Sequence, residues 1–389
     1  MGNLRNNEKK VDIPLNKVLL IQKIWRQKRK IKKLFIKNKI TLTTSSNNSL
    51  PGMEIEYFDP TSLLSPESQK TENFLGEFSL LKNKNIKILE NSNLINVKRL
   101  YNNNTIYIGT LNKISFLKEG IGTLYNINEG SKFIGEFLND KFNGLGRIIF
   151  NDGSYYEGVF ENNFQNGFGK FEYENYSYIG NWLNNKKNGF GEENFNDGSY
   201  YKGYFINDFK KGYGIFKYVN GKIIEGFFNK ENKVNGITKM KFEDEGKFSI
   251  GLWENGIMNG INFYFWNNNQ KYFGEYINFI KNGFGIFFYD DKTIYEGFWI
   301  NGKQHGFGII KDLDNENNML NYNLYLFRFG KEITQIKDSD FLFNEKCQII
   351  QNKVLEIKNF SKKYFNIENI FSSQFKIDLN LFNLENLYQ

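Results

Sequence analysis

Six Gly-x-Gly pairs punctuate the chain at Gly144-Leu-Gly146, Gly167-Phe-Gly169, Gly189-Phe-Gly191, Gly212-Tyr-Gly214, Gly283-Phe-Gly285 and Gly306-Phe-Gly308, with a seventh at Gly120-Ile-Gly122. Read alone, such a pair is weak text for a phosphate-binding loop. Each of the six trails an earlier glycine by nine residues, and Gly120 trails its own by eleven, so the pattern is periodic and structural before it is chemical. Little else is equipped for catalysis. His305 is the sole histidine and Cys347 the sole cysteine, which leaves no His/Cys cluster for zinc and no intrachain disulfide framework. Residues 311 to 389 hold neither a phosphate-binding glycine loop nor an acid/base constellation with histidine. The expectation is a non-catalytic protein with no cofactor and no metal.

Composition agrees. Among 389 residues there are 40 Phe, 23 Tyr and 36 Gly but only 4 Pro, which is neither collagen-like nor disordered text. A lone cysteine fits a reducing compartment. No run of eighteen apolar residues and no signal-peptide core occurs, so an intracellular protein without a transmembrane segment is expected. The formal net charge of +8 is local: Lys17 to Lys39 carries ten basic residues and no acidic one, leaving the remainder near −2. A spread-out nucleic-acid surface is not supported.

The earlier glycines define the repeat: Gly109, Gly135, Gly158, Gly180, Gly203, Gly226, Gly251, Gly274 and Gly297, at intervals of 22 to 26 residues. Seven have an aromatic residue two positions before them: Tyr107, Phe133, Tyr156, Tyr178, Tyr201, Tyr272 and Tyr295. Eight have one two positions after: Phe137, Phe160, Trp182, Phe205, Phe228, Trp253, Tyr276 and Trp299. Spacing of two is strand periodicity, so each glycine and its flanking rings share one face. Asn-rich text between the two signatures suits a turn, as does the closing Asn151-Asp152-Gly153 or Asn196-Asp197-Gly198. Each unit therefore reads as a β-hairpin. Hairpins at this spacing must stack edge to edge, since one alone is barely stable in water. The expected fold is an all-β repeat solenoid: a single-layer elongated antiparallel sheet, with a helix at either end. Glycine leaves room for a neighbouring ring to lie across the backbone. The rings are expected to form the inter-repeat core, and some to line a partner surface as well.

Aromatic-x-Gly-x-aromatic followed by Asn-Gly-x-Gly resembles the membrane occupation and recognition nexus (MORN) repeat, clearly from 105 to 310. A degraded unit is expected at Phe74-Leu-Gly76-Glu-Phe78 and another near Tyr325. Ile224 and Ser249 break the first signature, and Thr238 and Asn262 replace the second glycine, marking a bend, a specialised contact site or tolerated drift, of which drift is the simplest account. The resemblance implies a non-catalytic scaffold of protein partners in a cytoskeletal assembly, a ciliary axoneme or the cell cortex. The alternative it leaves open is a calmodulin-responsive or phospholipid-associated adaptor at the cytoplasmic face of a membrane.

Residues 15 to 40 form a basic segment free of Gly and Pro after Pro14, read as an amphipathic helix. Ile21, Gln22, Arg26, Lys30 and Leu34 resemble an IQ motif, which implies calmodulin or a calmodulin-like light chain as a partner, with Trp25 on the apolar line. Gln27 stands where that motif usually has glycine. The alternatives for this helix are docking on a cytoskeletal partner, packing against the protein's own sheet and, as a lesser one, acidic lipid; Met1-Gly2 faintly resembles a myristoylation site with Asn6 in place of Ser or Thr. Residues 1 to 14 read as a flexible terminus, 41 to 72 as an irregular linker, 73 to 330 as the repeat solenoid and 331 to 389 as a helical extension. Within the last, Phe343, Cys347, Ile350, Val354 and Ile357 recur by four and three, predicting a helix over 340–365 whose apolar stripe caps the open end of the sheet, the alternative being contact with another subunit or a filament protein. Cys347 then behaves as a small hydrophobe.

Overall fold

The computed structural model describes residues 53–54, 64–76, 78, 93–101, 103–243, 246–266, 268–289, 292–314 and 319–365. The segment 1–40, with its expected IQ-like helix and Gly2 site, lies outside the described residues. By internal contact the chain divides into two units, Met1–Asn196 and Asp197–Gln389.

The first unit contains β1 (Met53–Glu54), α1 (Pro66–Leu75), β2 (Leu94–Tyr101), β3 (Thr105–Asn112), β4 (Lys118–Asn126), β5 (Ser131–Leu138), β6 (Lys141–Ile149), β7 (Tyr155–Glu161), β8 (Phe164–Tyr173), β9 (Tyr176–Leu183) and β10 (Lys186–Asn194). Its strands form one open antiparallel sheet in which each pairs with its neighbour in sequence. The hairpin of β7 and β8 shows why. Asn162 and Asn163 sit at φ 50° and 72°, the left-handed pair that a two-residue hairpin turn matched to strand twist requires. Gly158 then faces Gly169 and Phe160 faces Gln165, so one residue of β7 opposes three of β8. Gly167, at φ 105°, absorbs this bulge. The turn into β7 is held by Asp152, whose carboxylate accepts from the Ser154 amide at 2.9 Å and hydroxyl at 2.6 Å.

Residues 66–75 are helical, where an irregular linker and the start of a degraded repeat were expected. Ser65 caps the helix by accepting the Ser68 amide at 3.0 Å, Pro66 opens it, and Gly76 ends it at φ 64°. The Phe74-x-Gly76-x-Phe78 spacing is thus a helix terminus and not a strand. Phe74 is 82% exposed, whereas Phe78 is buried beneath the Arg147 guanidinium. Ser68 and Thr71 donate to the carbonyls of Phe150 and Gly153, and Glu72 pairs with Lys132, which docks α1 over the sheet face opposite the repeat rings.

The second unit contains β11 (Tyr200–Ile206), β12 (Phe209–Lys217), β13 (Ile223–Phe228), β14 (Val234–Lys241), β15 (Phe248–Glu254), β16 (Ile257–Phe265), β17 (Lys271–Ile277), β18 (Ile280–Phe288), β19 (Thr293–Ile300), β20 (Lys303–Leu313), β21 (Met319–Arg328), β22 (Lys331–Ile336) and α2 (Phe341–Phe365). It too is an open antiparallel sheet of consecutive strands. The hairpin expected near Tyr325 is present, and the sheet runs on to Ile336 before the helix begins.

Helix α2 departs from its expected position. Phe343, Cys347, Ile350, Val354 and Ile357 are all buried, in one core with Phe263, Phe273, Phe284, Ile286, Ile309 and Leu324. These partners lie on the sheet face opposite the glycines, so α2 covers a face and does not cap an end. The face offers the helix a continuous apolar surface. The terminal strand β22 is only six residues long, exposed along nearly all its length, and carries Lys331 and Glu332, which blunt its free edge. Cys347 is a free thiol inside this core, and burial pushes its pKa up. No described helix is long and apolar enough to cross a membrane.

Candidate partner-binding face

The face that carries the repeat glycines is built in two layers. Tyr156 lies flat across Gly158 and Gly169: a Cβ added at Gly158 would stand 2.6 Å from the Tyr156 hydroxyl, and one at Gly169 would stand 2.6 Å from Cε2. The hydroxyl reaches on to donate to the Val159 carbonyl at 3.1 Å, where the bulge has taken the pairing out of register. The same bond recurs from Tyr107 to Thr110, Tyr178 to Asn181, Tyr201 to Tyr204, Tyr272 to Glu275 and Tyr295 to Phe298. Each of these six tyrosines is fully buried, and desolvation holds the Tyr156, Tyr272 and Tyr295 hydroxyls well above the usual phenol range.

Between them stand the second aromatics of the signature, edge-on. In the first unit, Phe137 bridges Tyr107 and Phe133, Phe160 meets Phe133 and Tyr156 at 5.2 and 5.1 Å, and Trp182 meets Tyr156 and Tyr178 at 5.3 and 5.1 Å. In the second, Tyr201 is flanked by Phe205 and Phe228, Tyr272 by Tyr276 and Trp299, and Tyr295 by Trp299 and Phe327. T-shaped pairs at these distances are favourable beyond their buried area. Trp182 and Trp299 also donate to the carbonyls of Gly169 and Gly285. The ring ladder is thus core; its members present almost no area to a partner.

The ladder is interrupted where Ile224 and Ser249 replace tyrosine. Both second glycines are replaced there too, and the changes compensate. Thr238 and Asn262, fully buried, fill the volume a tyrosine ring occupies elsewhere. A Cβ on Gly226 would stand 2.9 Å from the Thr238 hydroxyl, and one on Gly251 would stand 2.5 Å from Asn262 Cγ. Trp253 packs against Phe279 at 5.4 Å, but its buried indole nitrogen has no hydrogen-bond acceptor among the described residues.

A second layer of rings, absent from the expected site, lies beside the ladder. It comes from the second strand of each hairpin, two and four residues past the second glycine position. The first unit places Phe171 and Tyr173 after Gly169, Phe195 after Gly191, and Tyr176 between them, with Tyr176 6.2 Å from Phe171 and 6.0 Å from Phe195. In the second unit Phe216 and Tyr218 are 4.5 Å apart, and a chain of rings runs Phe242, Tyr264, Trp266, Phe287, Tyr289 at 5.1, 4.3, 5.8 and 4.8 Å. Tyr173, Tyr218 and Tyr289 are each 38% exposed, so these rings, and not the ladder, offer contact area. The signal was legible as Gly-x-Gly-x-aromatic-x-aromatic, at the same spacing of two.

Lysines cross the ladder at one hairpin position. Lys118 lies over Tyr107 and pairs with Asp140, Lys187 lies over Tyr178 and pairs with Glu193, and Lys210 lies over Tyr201. Lys281 stands within 4.9 Å of four ring centroids, those of Trp266, Tyr272, Phe287 and Trp299. Burial lowers its pKa to about 8.

Of the remaining expected site residues, Phe343, Cys347, Ile350, Val354 and Ile357 are committed to the core beneath α2, and Ile21, Gln22, Trp25, Arg26, Lys30 and Leu34 lie outside the described residues. Among the described residues, no group of three or more His, Cys, Asp or Glu gathers where it could hold a metal ion.

The MORN repeat family model matches residues 133–155, 156–177, 178–200, 201–223 and 295–312, so the chain carries five MORN repeats. Hairpins outside those matches, including the two interrupted ones, fold on the same plan. No curated protein matches the chain. Among solved structures it is similar to the TCP10 domain of Danio rerio CPAP, solved in complex with a peptide of Danio rerio STIL. That likeness has 13% identity and a TM-score of 0.34 over 59% of this chain and 99% of that one. It is also similar to the SAS-4 (dCPAP) TCP domain of Drosophila melanogaster, solved in complex with a Proline Rich Motif of Ana2 (dSTIL), at 16% identity and a TM-score of 0.26 over 41% of this chain and 88% of that one.

Proposed function

We propose that the chain is a non-catalytic scaffold that holds extended protein partners against the aromatic side of its hairpin sheets, within a cytoskeletal assembly such as a ciliary axoneme or the cell cortex. The observation that carries this reading is the second layer of rings from Phe242 to Tyr289. Phe242, Tyr264, Trp266 and Tyr289 are partly exposed and Phe287 is buried among them, in a row aligned across successive strands beside a ladder already buried. Rigid aromatic area of this kind suits a bound peptide, because little side-chain entropy is lost on contact. Five MORN repeats support the class of interaction module. The outer side of α2, where Leu342, Ile349 and Leu355 are exposed, supplies a further contact, and the basic segment 17–39 another.

Affinity isolation from native cells with amine crosslinking tests this. Crosslinks from the ring-face lysines of either unit, Lys187 in the first or Lys210 in the second, to an extended partner chain recovered with cytoskeletal proteins are the expected result. Crosslinks confined to the opposite face, or recovery of lipid without protein, would refute it.

A further inference from the structure

The row of lysines that crosses the ladder shows how this chain satisfies an ammonium group at that position. Lys118 has Asp140 and Lys187 has Glu193, each a carboxylate within ion-pair distance. The Lys281 ammonium has no ion pair and no hydrogen bond among the described residues. Glu275, on the strand that pairs with its own, is turned to the other side of the sheet and accepts the Phe284 amide at 3.0 Å. What surrounds Lys281 is aromatic: Phe287 at 4.3 Å, Trp299 at 4.7 Å, Tyr272 at 4.8 Å and Trp266 at 4.9 Å from ring centroid to Nζ. Those faces attract the cation, but they do not replace the strong oxygen acceptors its three N–H donors would find in water. The lowered pKa agrees, since a buried ammonium with a counter-ion would not favour the neutral form. Trp266 and Tyr289 belong to the partly exposed layer of rings and Phe287 is buried between them, so Lys281 stands at the edge of the proposed peptide site.

We infer that the ring box around Lys281 is a carboxylate-receiving subsite, and that the partner on this face is an extended acidic peptide placing an Asp or Glu there beside an apolar or aromatic residue that packs on Trp266 and Tyr289. This deepens the scaffold reading and rests on it. A carboxylate is favoured over other anions because Asp140 and Glu193 pair with the lysines at the same hairpin position in the first unit. The rings exclude water around the pair, which makes the contact stronger and more selective than a surface ion pair.

The test screens an array of random twelve-residue peptides against the full-length chain and its Lys281→Gln, Lys281→Arg and Tyr289→Ala variants, with thermal melts confirming that each is folded. The wild-type chain is expected to enrich peptides with Asp or Glu next to an apolar or aromatic residue. Lys281→Gln is expected to weaken those peptides at least tenfold while keeping neutral ones, Lys281→Arg to retain the acidic preference, and Tyr289→Ala to weaken both classes. Enrichment of peptides without acid, or acidic peptides indifferent to Lys281→Gln, overturns this inference and leaves the aromatic peptide site standing. No enriched peptide, or none affected by Tyr289→Ala, overturns both. Phosphatidylserine vesicles bound in a Lys281-dependent way with no peptide enriched would assign the subsite to a lipid headgroup and also overturn it.

Discussion

The carboxamide nitrogen of Asn262 lies 2.9 Å from the carbonyl oxygen of Leu252 and donates to it. Leu252 stands three residues after Ser249, the position from which a tyrosine hydroxyl reaches the corresponding carbonyl in six other hairpins. Serine cannot span that distance. Asn262, entering from the partner strand where those hairpins have glycine, supplies both the missing donor and the missing volume. Thr238 restores volume against Gly226, two residues after Ile224, but reaches only the Gly236 carbonyl, at 3.5 Å. The two interrupted hairpins therefore keep one design with the bulk moved across the strand pair.

An exchange experiment follows from this geometry. Asn262→Gly should cost about 2 kcal/mol, by leaving a cavity and a carbonyl without its donor. Ser249→Tyr alone should cost about 1–3 kcal/mol, because the ring would enter space that Asn262 occupies. The double variant should recover most of both losses. Urea unfolding of the four proteins reads the coupling directly; additive losses would mean that the two positions do not share one space.

The ladder tyrosines make a second prediction. Tyr156→Phe keeps the ring over Gly158 and Gly169 and deletes only the bond to Val159, for a loss of about 1 kcal/mol. Gly169→Ala should cost more than about 2 kcal/mol, because the ring it would displace is pinned between Phe160 and Trp182 at 5.1 and 5.3 Å. Gly198→Ala, at φ 82° with open space around it, should lose only about 1 kcal/mol through backbone strain. Melting temperatures in the order Gly198→Ala above Gly169→Ala distinguish steric exclusion by the ring from a general need for glycine.

What the sequence disclosed, and what it hid, follows from how local each signal is. Spacing of two around Gly158 or Gly180 reports strand, face and period, because all three are set within one hairpin. The stripe from Phe343 to Ile357 likewise announced a helix with one buried side. It could not announce its partner, since an apolar stripe fits an open sheet end and a sheet face equally well, and only the apolar surface of Phe263, Phe284 and Ile309 decides between them. Phe74-x-Gly76-x-Phe78 misled because the repeat signature is sparse, and the stronger local signal was Ser65-Pro66-Glu67 at a helix start. The exchange of Ser249 with Asn262 looked like drift because the two positions are thirteen residues apart in the chain and meet only through the register of β15 with β16.

Cys347 gives a single-site probe of α2. It is 7% exposed, and burial raises the pKa of its thiol, so the native chain should react with a thiol reagent far more slowly than the unfolded one. Ile350→Ala, which removes a fully buried side chain from the same core, should destabilise by about 2–5 kcal/mol and accelerate labelling if α2 lifts from the face. Fast labelling of the native wild-type chain would show that the helix is not held there.

Lys281 should make stability depend on pH in a direction of its own. Its pKa is about 8 in the folded chain and 10.5 ordinarily, so between those values the unfolded chain holds the proton more tightly. Stability from this group therefore rises as pH climbs through that window, because the cost of keeping an uncompensated cation among rings disappears as the amine becomes neutral. Below pH 8 the cost is fully present, offset in part by attraction to the four ring faces. The surrounding hydroxyls of Tyr272, Tyr276 and Tyr289 are all raised by burial and remain protonated across most of the window. Comparing the wild-type chain with Lys281→Met by urea unfolding from pH 7 to 10.5 cancels their contribution. Lys281→Met should be the more stable protein at pH 7, by an amount on the order of 1 kcal/mol, and the gap should close toward pH 10.5. A gap that stays constant or widens would mean that the four rings compensate the charge completely, and that Lys281 is not held at the expense of stability.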